Sequence, residues 1–200
     1  MGFCVLDLSK MEIYEFHYNF MKAKFPNCRL LFTGTDSLCY EVETEDIYRD
    51  LEPEQDRFDF SNYPKTHILF SMKNAKVIGK MKDELGGLFM IEFVGLRPKL
   101  YSFIYDMPSA ERVEKKTAKG VKASVKERRL RHQNYLTCLK EQKSFYVSLN
   151  QIRSDRHILY SVHQRKVGLS SYDTKRWVQD DGISTLAHGH YKTKEQCIMG

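Results

Sequence analysis

Three places in this 200-residue chain bring chemically able side chains close together in the sequence. The first is Thr35-Asp36-Ser37, which follows the apolar run Leu30-Leu31-Phe32 and begins at a Gly34-Thr35 pair. A carboxylate raised at a hairpin tip projects from a rigid backbone, and its hard oxygens suit Mg²⁺. As turn chemistry alone, the same aspartate would bond its own backbone. The second place is Lys99 and Tyr101. Strand periodicity puts them on one face, where an ammonium and a phenol can reach one phosphodiester backbone together. The third is the run Arg112, Lys115, Lys116, Lys119, Lys122, Lys126, Arg128, Arg129 and Arg131, opposed only by Glu114 and Glu127. Nine bases against two acids favour phosphate contact over a merely solvated face.

The elements that must hold these residues are written in local patterns. Ser9 followed by Glu12 predicts a capping box opening a helix over Lys10–Lys24, with Ile13, Phe16, Phe20 and Met21 at helical spacing. Pro26-Asn27 ends it. Arg29–Thr33 and Asp36–Glu41 around Gly34-Thr35 predict a hairpin, with Gly34 at the positive φ of a type II′ turn. A second hairpin is predicted from 77–84 and 88–94 around Gly86-Gly87, then a strand over Lys99–Tyr105 and a helix over Ala123–Lys143. Short β-like runs follow between His157 and Tyr191. Asp106-Met107-Pro108-Ser109-Ala110 has the composition of a linker or turn and divides the chain into residues 1–110 and 111–200. The class expected is α+β.

Composition narrows the function. Hydrophobic residues at 42% are enough for a folded core, and the net charge of +6 permits a polyanionic partner. Acids crowd Glu43–Asp59 without EF-hand spacing, so calcium is not indicated. No apolar run approaches the roughly 18–20 residues of a bilayer span, and Met1–Leu6 lacks signal-peptide character. A soluble intracellular protein without a membrane partner is therefore expected. Cys4, Cys28, Cys39, Cys138 and Cys197 form no CxxC pair and fit free thiols. The ending Cys197-Ile198-Met199-Gly200 is a poor prenylation box, and His188-Gly189-His190 lacks a zinc partner set. Trp177 is expected in the core. Walker, dinucleotide and GxSxG signatures are all missing.

Thr35-Asp36-Ser37 on its turn resembles the third catalytic motif of family B DNA polymerases, Tyr-x-Asp-Thr-Asp-Ser. The resemblance continues through Gly79-Lys80-Met81-Lys82-Asp83-Glu84-Leu85-Gly86-Gly87 and Glu92–Ser102. It extends to Ala118–Lys122, Leu130–Tyr135, Asn150–Ser154 and Leu186–Tyr191, and is closest to protein-primed polymerases of Polinton/Maverick-type transposons and related viruses. Within that family the fold implied is the last part of a palm, β-hairpins packed with a helix, followed by a small thumb. The reaction implied is template-directed addition of deoxynucleotides, in which two Mg²⁺ ions about 3.5–4 Å apart serve the attacking and leaving oxygens. By resemblance Asp36 is the catalytic metal ligand, flanked by Thr35 and Ser37. Lys99-Leu100-Tyr101 looks like the Lys-x-Tyr motif that holds the primer end. Lys115, Lys116, Lys119, Lys122, Lys126, Arg128 and Arg129 are the implied contacts to a primer–template duplex. A terminal protein primer or the other half of a polymerase are further partners it implies, at a nuclear or viral replication site.

The departures bear on activity. Gly34 stands where the family has its first motif aspartate, and Phe32 where it has tyrosine. Neither Asp-x-x-Ser-Leu-Tyr-Pro nor a nucleotide-gripping lysine helix occurs in residues 1–30. One carboxylate cannot hold two metal ions, so the expectation is a chain that does not polymerise alone. The rival from another class is a non-catalytic DNA-binding or interaction module, and a third is an eroded product without a stable fold.

Overall fold

The computed structural model describes residues 2–109, 111–172, 176–182, 184–187 and 189–192. It is a mixed α+β structure built from small sheets, and its chain forms two compact units. One contains Met1–Ile91 with Tyr105–Val113, the other Glu92–Ile104 with Glu114–Gly200.

The first unit opens with helix α1 (Gly2–Glu15), which passes through a π-helical stretch at Phe16–Met21 into the short α2 (Lys22–Lys24). The helix thus begins well before the predicted capping box. No breaker separates Gly2 from Ser9, and Leu6, Leu8 and Met11 are good helix formers, so Ser9 and Glu12 fall inside the helix. Phe3, Val5, Leu6, Leu8 and Met11 are all exposed, and Ile13 is the first buried residue. Strands β1 (Arg29–Thr33) and β2 (Leu38–Glu41) form the expected antiparallel hairpin, from Arg29 opposite Glu41 to Thr33 opposite Leu38, with an irregularity between Leu30 and Phe32. Helix α3 (Ile47–Leu51) is capped by Asp46, whose carboxylate accepts the Tyr48 and Arg49 amides at 3.0 and 3.3 Å. A 3₁₀ turn at Glu52–Arg57 follows.

The second predicted hairpin does not form. Strand β4 (Met81–Lys82) pairs in parallel with β3 (Phe58–Asp59) instead. The Gly86-Gly87 bend exists, with φ of 61° and 86°, but the Asp83 carboxylate organises it. That carboxylate takes the Leu85 amide, the Gly87 amide and the Tyr63 hydroxyl, each at 2.8 Å. A side chain satisfies the backbone that a ladder would have used. Phe20, Met21, Phe25, Cys28, Phe58, Phe60, Tyr63 and Leu69 make the core of this unit, with Phe58 and Phe60 stacked at 5.2 Å.

Strands β5 (Met90–Arg97), β6 (Leu100–Asp106) and β7 (Arg112–Ala118) form a three-stranded sheet in that order. Between β6 and β7 the Met107 amide donates to the Glu111 carbonyl at 2.9 Å. The single helix predicted over 123–143 is two, α4 (Ala123–Arg129) and α5 (His132–Glu141). Leu130 is extended and buried between them, and Asn134 Oδ1 accepts the Arg131 amide at 2.7 Å to start the second. Burying Leu130 breaks a helix that local propensity alone would have continued.

Strands β8 (Phe145–Asp155) and β9 (Ile158–Leu169) then form an antiparallel ribbon far longer than the short runs predicted there. A small hairpin of β10 (Arg176–Val178) and β11 (Thr185–Ala187) ends the description, turning through Gly182 at φ 71°. Trp177 on β10 is 40% exposed rather than in the core. The core of the second unit joins Val94, Leu100 and Ala118 of the sheet to Leu130, Tyr135, Cys138, Val147, Leu149 and Leu169. Cys28, Cys39 and Cys138 are buried free thiols, as expected, and Cys4 is a free exposed one. His188 and residues 193–200, with the Cys197 ending, lie outside the described residues. Among the described residues, no helix is long and apolar enough to cross a membrane.

Candidate nucleic-acid interface

In the first unit, β1 and β2 present the loop Gly34–Ser37. It is a four-residue connection rather than the predicted two-residue turn, with the Gly34 amide donating to the Ser37 carbonyl at 2.7 Å. Gly34 lacks the positive φ that a type II′ turn would need. The longer loop removes that requirement, since its curvature is spread over four residues. A Cβ built at Gly34 presses on the Ser37 hydroxyl, a group free to rotate away.

Asp36 and Thr35 are exposed, and Ser37 is half-buried. Asp36 makes no hydrogen bond or ion pair among the described residues, so the local backbone bond common for turn aspartates is not what holds it here. Its carboxylate is the only one in the loop. Among the described residues, no three His, Cys, Asp or Glu side chains converge to hold a metal ion. This donor set does not fit a two-ion centre.

Beneath the loop, β2 carries Cys39 and Tyr40. Burial pushes the Cys39 thiol up to about 11 and raises the Tyr40 phenol, the latter with a further contribution from Cys28. His17 lies in the π-helical stretch, with its ring stacked on Tyr40 at 5.7 Å and its Nδ1 2.9 Å from the Tyr40 hydroxyl. The helical spacing over Lys10–Lys24 includes His17, but nothing in it announces a π turn or the pairing of His17 with Tyr40.

In the second unit, Lys99 is not in a strand. Pro98-Lys99 is the turn between β5 and β6, and Lys99 has φ 61°. Proline fixes its own φ and cannot extend the ladder, so the next residue takes the left-handed conformation of a type II turn. The shared face predicted for Lys99 and Tyr101 therefore does not arise from strand alternation. Lys99 is exposed. Tyr101 is half-buried, 6.1 Å from the Phe93 ring and stacked on Phe103 at 6.5 Å.

The structure does bring Lys99 beside the third group of residues. Its carbonyl accepts the Lys119 amide at 3.0 Å, and Lys166 reaches the neighbouring Gly120 carbonyl. Lys119 and Lys122 are exposed around the Gly120 bend, which has φ 86°, and Arg128 and Arg129 are exposed on α4. These four bases make no ion pair among the described residues. Lys115 is exposed, with its ammonium 5.7 Å from the Phe103 ring centroid. Lys126 is partly covered and lies 3.4 Å from Glu127. Lys116 points inward, its side chain 5% exposed and held 3.7 Å from Glu114 and 3.4 Å from Glu127. Strand alternation separates it from Lys115, which the sequence pattern had grouped with it.

A polar cluster that the sequence did not signal anchors α5 to the sheet. His132, 2% exposed, donates its amide to Glu114 at 3.2 Å, and its Nδ1 lies 3.0 Å from Ser102 Oγ. Ser102 in turn donates to the Lys115 carbonyl at 3.2 Å. His132 Nε2 is 3.3 Å from a Glu92 carboxylate oxygen without hydrogen-bond geometry. His132, Glu114 and Ser102 thereby fix the start of α5 on β6 and β7.

Comparison of the chain with protein-family models, with curated proteins and with solved structures found no match.

Proposed function

We propose that this chain is the palm-end and thumb part of a protein-primed family B DNA polymerase and that its own task is to hold a nucleic-acid duplex by its phosphates. The observation that carries the reading is the group of exposed bases Lys119, Lys122, Arg128 and Arg129, which make no ion pair among the described residues, with Lys119 hydrogen-bonded to the turn bearing Lys99. Sequence-independent affinity for a polyanion comes from such a surface through counterion release. Lys116 is not assigned to it. In this reading Asp36 descends from a metal ligand. With Gly34 beside it, the loop supplies one carboxylate where phosphoryl transfer through two ions needs more, so the chain does not transfer nucleotides on its own.

Equilibrium binding to a 24-base-pair duplex across a salt series tests this. Lys119→Ala and Lys122→Ala should each weaken binding to all sequences alike and lower the salt slope by about one. Affinity and slope unchanged in both variants would sink the phosphate assignment. Divalent ions separate the polymerase reading from a non-catalytic module. A surviving metal contact predicts Mg²⁺- or Mn²⁺-dependent duplex binding that Asp36→Ala removes, whereas the non-catalytic module predicts indifference to both.

A further inference from the structure

The bend that carries Lys119 and Lys122 is tied down from two sides. The Val121 amide donates to the Ala118 carbonyl at 3.1 Å, and Gly120 stands third in the resulting turn with φ 86°, the conformation a type II turn requires there. On one side the Lys119 amide donates to the Lys99 carbonyl at 3.0 Å, which fastens the turn to the connection between β5 and β6. The Gly120 carbonyl takes no part in either bond. Its partner comes from 46 residues away, where Lys166 Nζ on β9 donates to it.

Lys166 stands where the ribbon is packed. The register sets it opposite Val147, and directly opposite residues share a face. Val147 is 4% exposed in the core of the second unit. Gly168, two residues on, lies so close that a Cβ built there would come within 2.9 Å of the Val147 side chain. The half-buried Lys166 side chain therefore leaves a fixed backbone and ends on the bend. It makes no ion pair among the described residues, so no neighbouring carboxylate accounts for its position. Without that tie, Gly120 would leave the bend the widest choice of backbone conformations.

We infer that Lys166 is a positioning residue for phosphate binding: its ammonium holds the Gly120 carbonyl and keeps the bend in one shape, so that Lys119 and Lys122 meet phosphate without first being ordered. The inference rests on the phosphate-holding function proposed above, and it gives Lys166 a role through the bend instead of on the duplex. Ordering a loop at the moment of binding subtracts from affinity, and a loop ordered beforehand escapes that loss. A cation suits the task in two ways. An ammonium donates a stronger hydrogen bond to a carbonyl than a neutral group does. Its charge also adds to the positive field beside Lys119 and Lys122, which draws a polyanion to the bend.

The test uses the full chain and a 24-base-pair duplex across a salt series. Lys166→Met keeps an unbranched stem and removes the donor, and it should weaken duplex binding about fivefold. Lys166→Arg can still donate to a carbonyl and should bind within about twofold of the parent. In a chain already carrying Lys119→Ala and Lys122→Ala, Lys166→Met should cost nothing further, because a residue acting through the bend has no effect once the bend carries no lysine. Amide hydrogen exchange of Lys119 and Val121, whose bonds define the bend, should quicken in Lys166→Met while the thermal midpoint stays near that of the parent. An equal loss in both backgrounds, with the salt slope lowered by about one in each, makes Lys166 a direct phosphate contact and overturns the positioning role. Lys166→Arg binding as weakly as Lys166→Met overturns it as well. If Lys166→Met binds as the parent does while Lys119→Ala weakens binding, the positioning role is wrong and the phosphate-holding function stands. A parent chain that binds no duplex removes both.

Discussion

Removing the Asp59 carboxylate should cost the first unit about 3 kcal/mol, because its oxygens are satisfied by groups that have no replacement. Asp59 is 4% exposed at the end of β3. Its Oδ1 accepts the Ser61 amide at 2.9 Å, and its Oδ2 accepts the Lys76 amide at 3.1 Å and the Lys82 ammonium at 3.2 Å. Asp59→Ala strands two backbone amides, each costing about 1–3 kcal/mol when left unsatisfied. Lys82 is 43% exposed and also reaches Ser61, so it rehydrates and adds little. In urea the loss should move the midpoint by about 1.5 M at an unchanged slope, for a slope near 2 kcal/mol/M.

The same bonds carry a pH signature. The Ser61 hydroxyl foremost, then the Ser61 and Lys76 amides and Lys82, outweigh desolvation and hold the Asp59 carboxyl well below the usual range. A group whose folded value is depressed contributes stability that is present above its unfolded value, near 3.9, and lost as pH falls. The parent chain should therefore lose more stability than Asp59→Asn between pH 5 and pH 3. Asp59→Ala within about 0.5 kcal/mol of the parent, or parallel acid profiles for the parent and Asp59→Asn, would refute the reasoning.

Other substitutions probe the remaining assignments. Lys99→Gly should stabilise the second unit by about 1 kcal/mol, because glycine accepts the left-handed φ of 61° without a Cβ penalty, and thermal unfolding reads the change. Gly34→Asp should leave the unfolding midpoint of the first unit within about 0.5 kcal/mol of the parent, since the Ser37 hydroxyl can rotate away from the new Cβ; a loss of several kcal/mol would mean that the loop tolerates only glycine. Lys116→Ala should lower stability by about 2 kcal/mol with the salt slope of duplex binding unchanged, the reverse of Lys119→Ala, because its buried stem and its pairs with Glu114 and Glu127 are internal. Among Cys4, Cys28, Cys39 and Cys138, iodoacetamide at pH 8 should modify Cys4 alone in the folded chain, since Cys39 is buried with its thiol pushed up to about 11.

What could be read without coordinates was local. The β1–β2 hairpin needs only two short apolar runs and a break between them, all within thirteen residues, so its pattern survives tertiary context. The helical stretch ending before Pro26 and the density of bases from Arg112 to Arg131 were legible for the same reason. What failed depended on residues far apart in the chain. Phe58-Asp59 pairs with Met81-Lys82 across more than twenty residues, and the pairing displaced a hairpin that period and glycines favoured locally. Leu130 interrupts a helix because the core of the second unit takes its side chain. Lys116 is drawn inward by Glu114 and Glu127 although its neighbours face solvent. The outer ribbon lacks the alternation of a strand because neither of its faces meets a core, so no sequence period was imposed on it. Residue types and local charge were set by the chain itself, and which of those charges reach solvent was decided by long-range packing, since burial is a property of the assembled core.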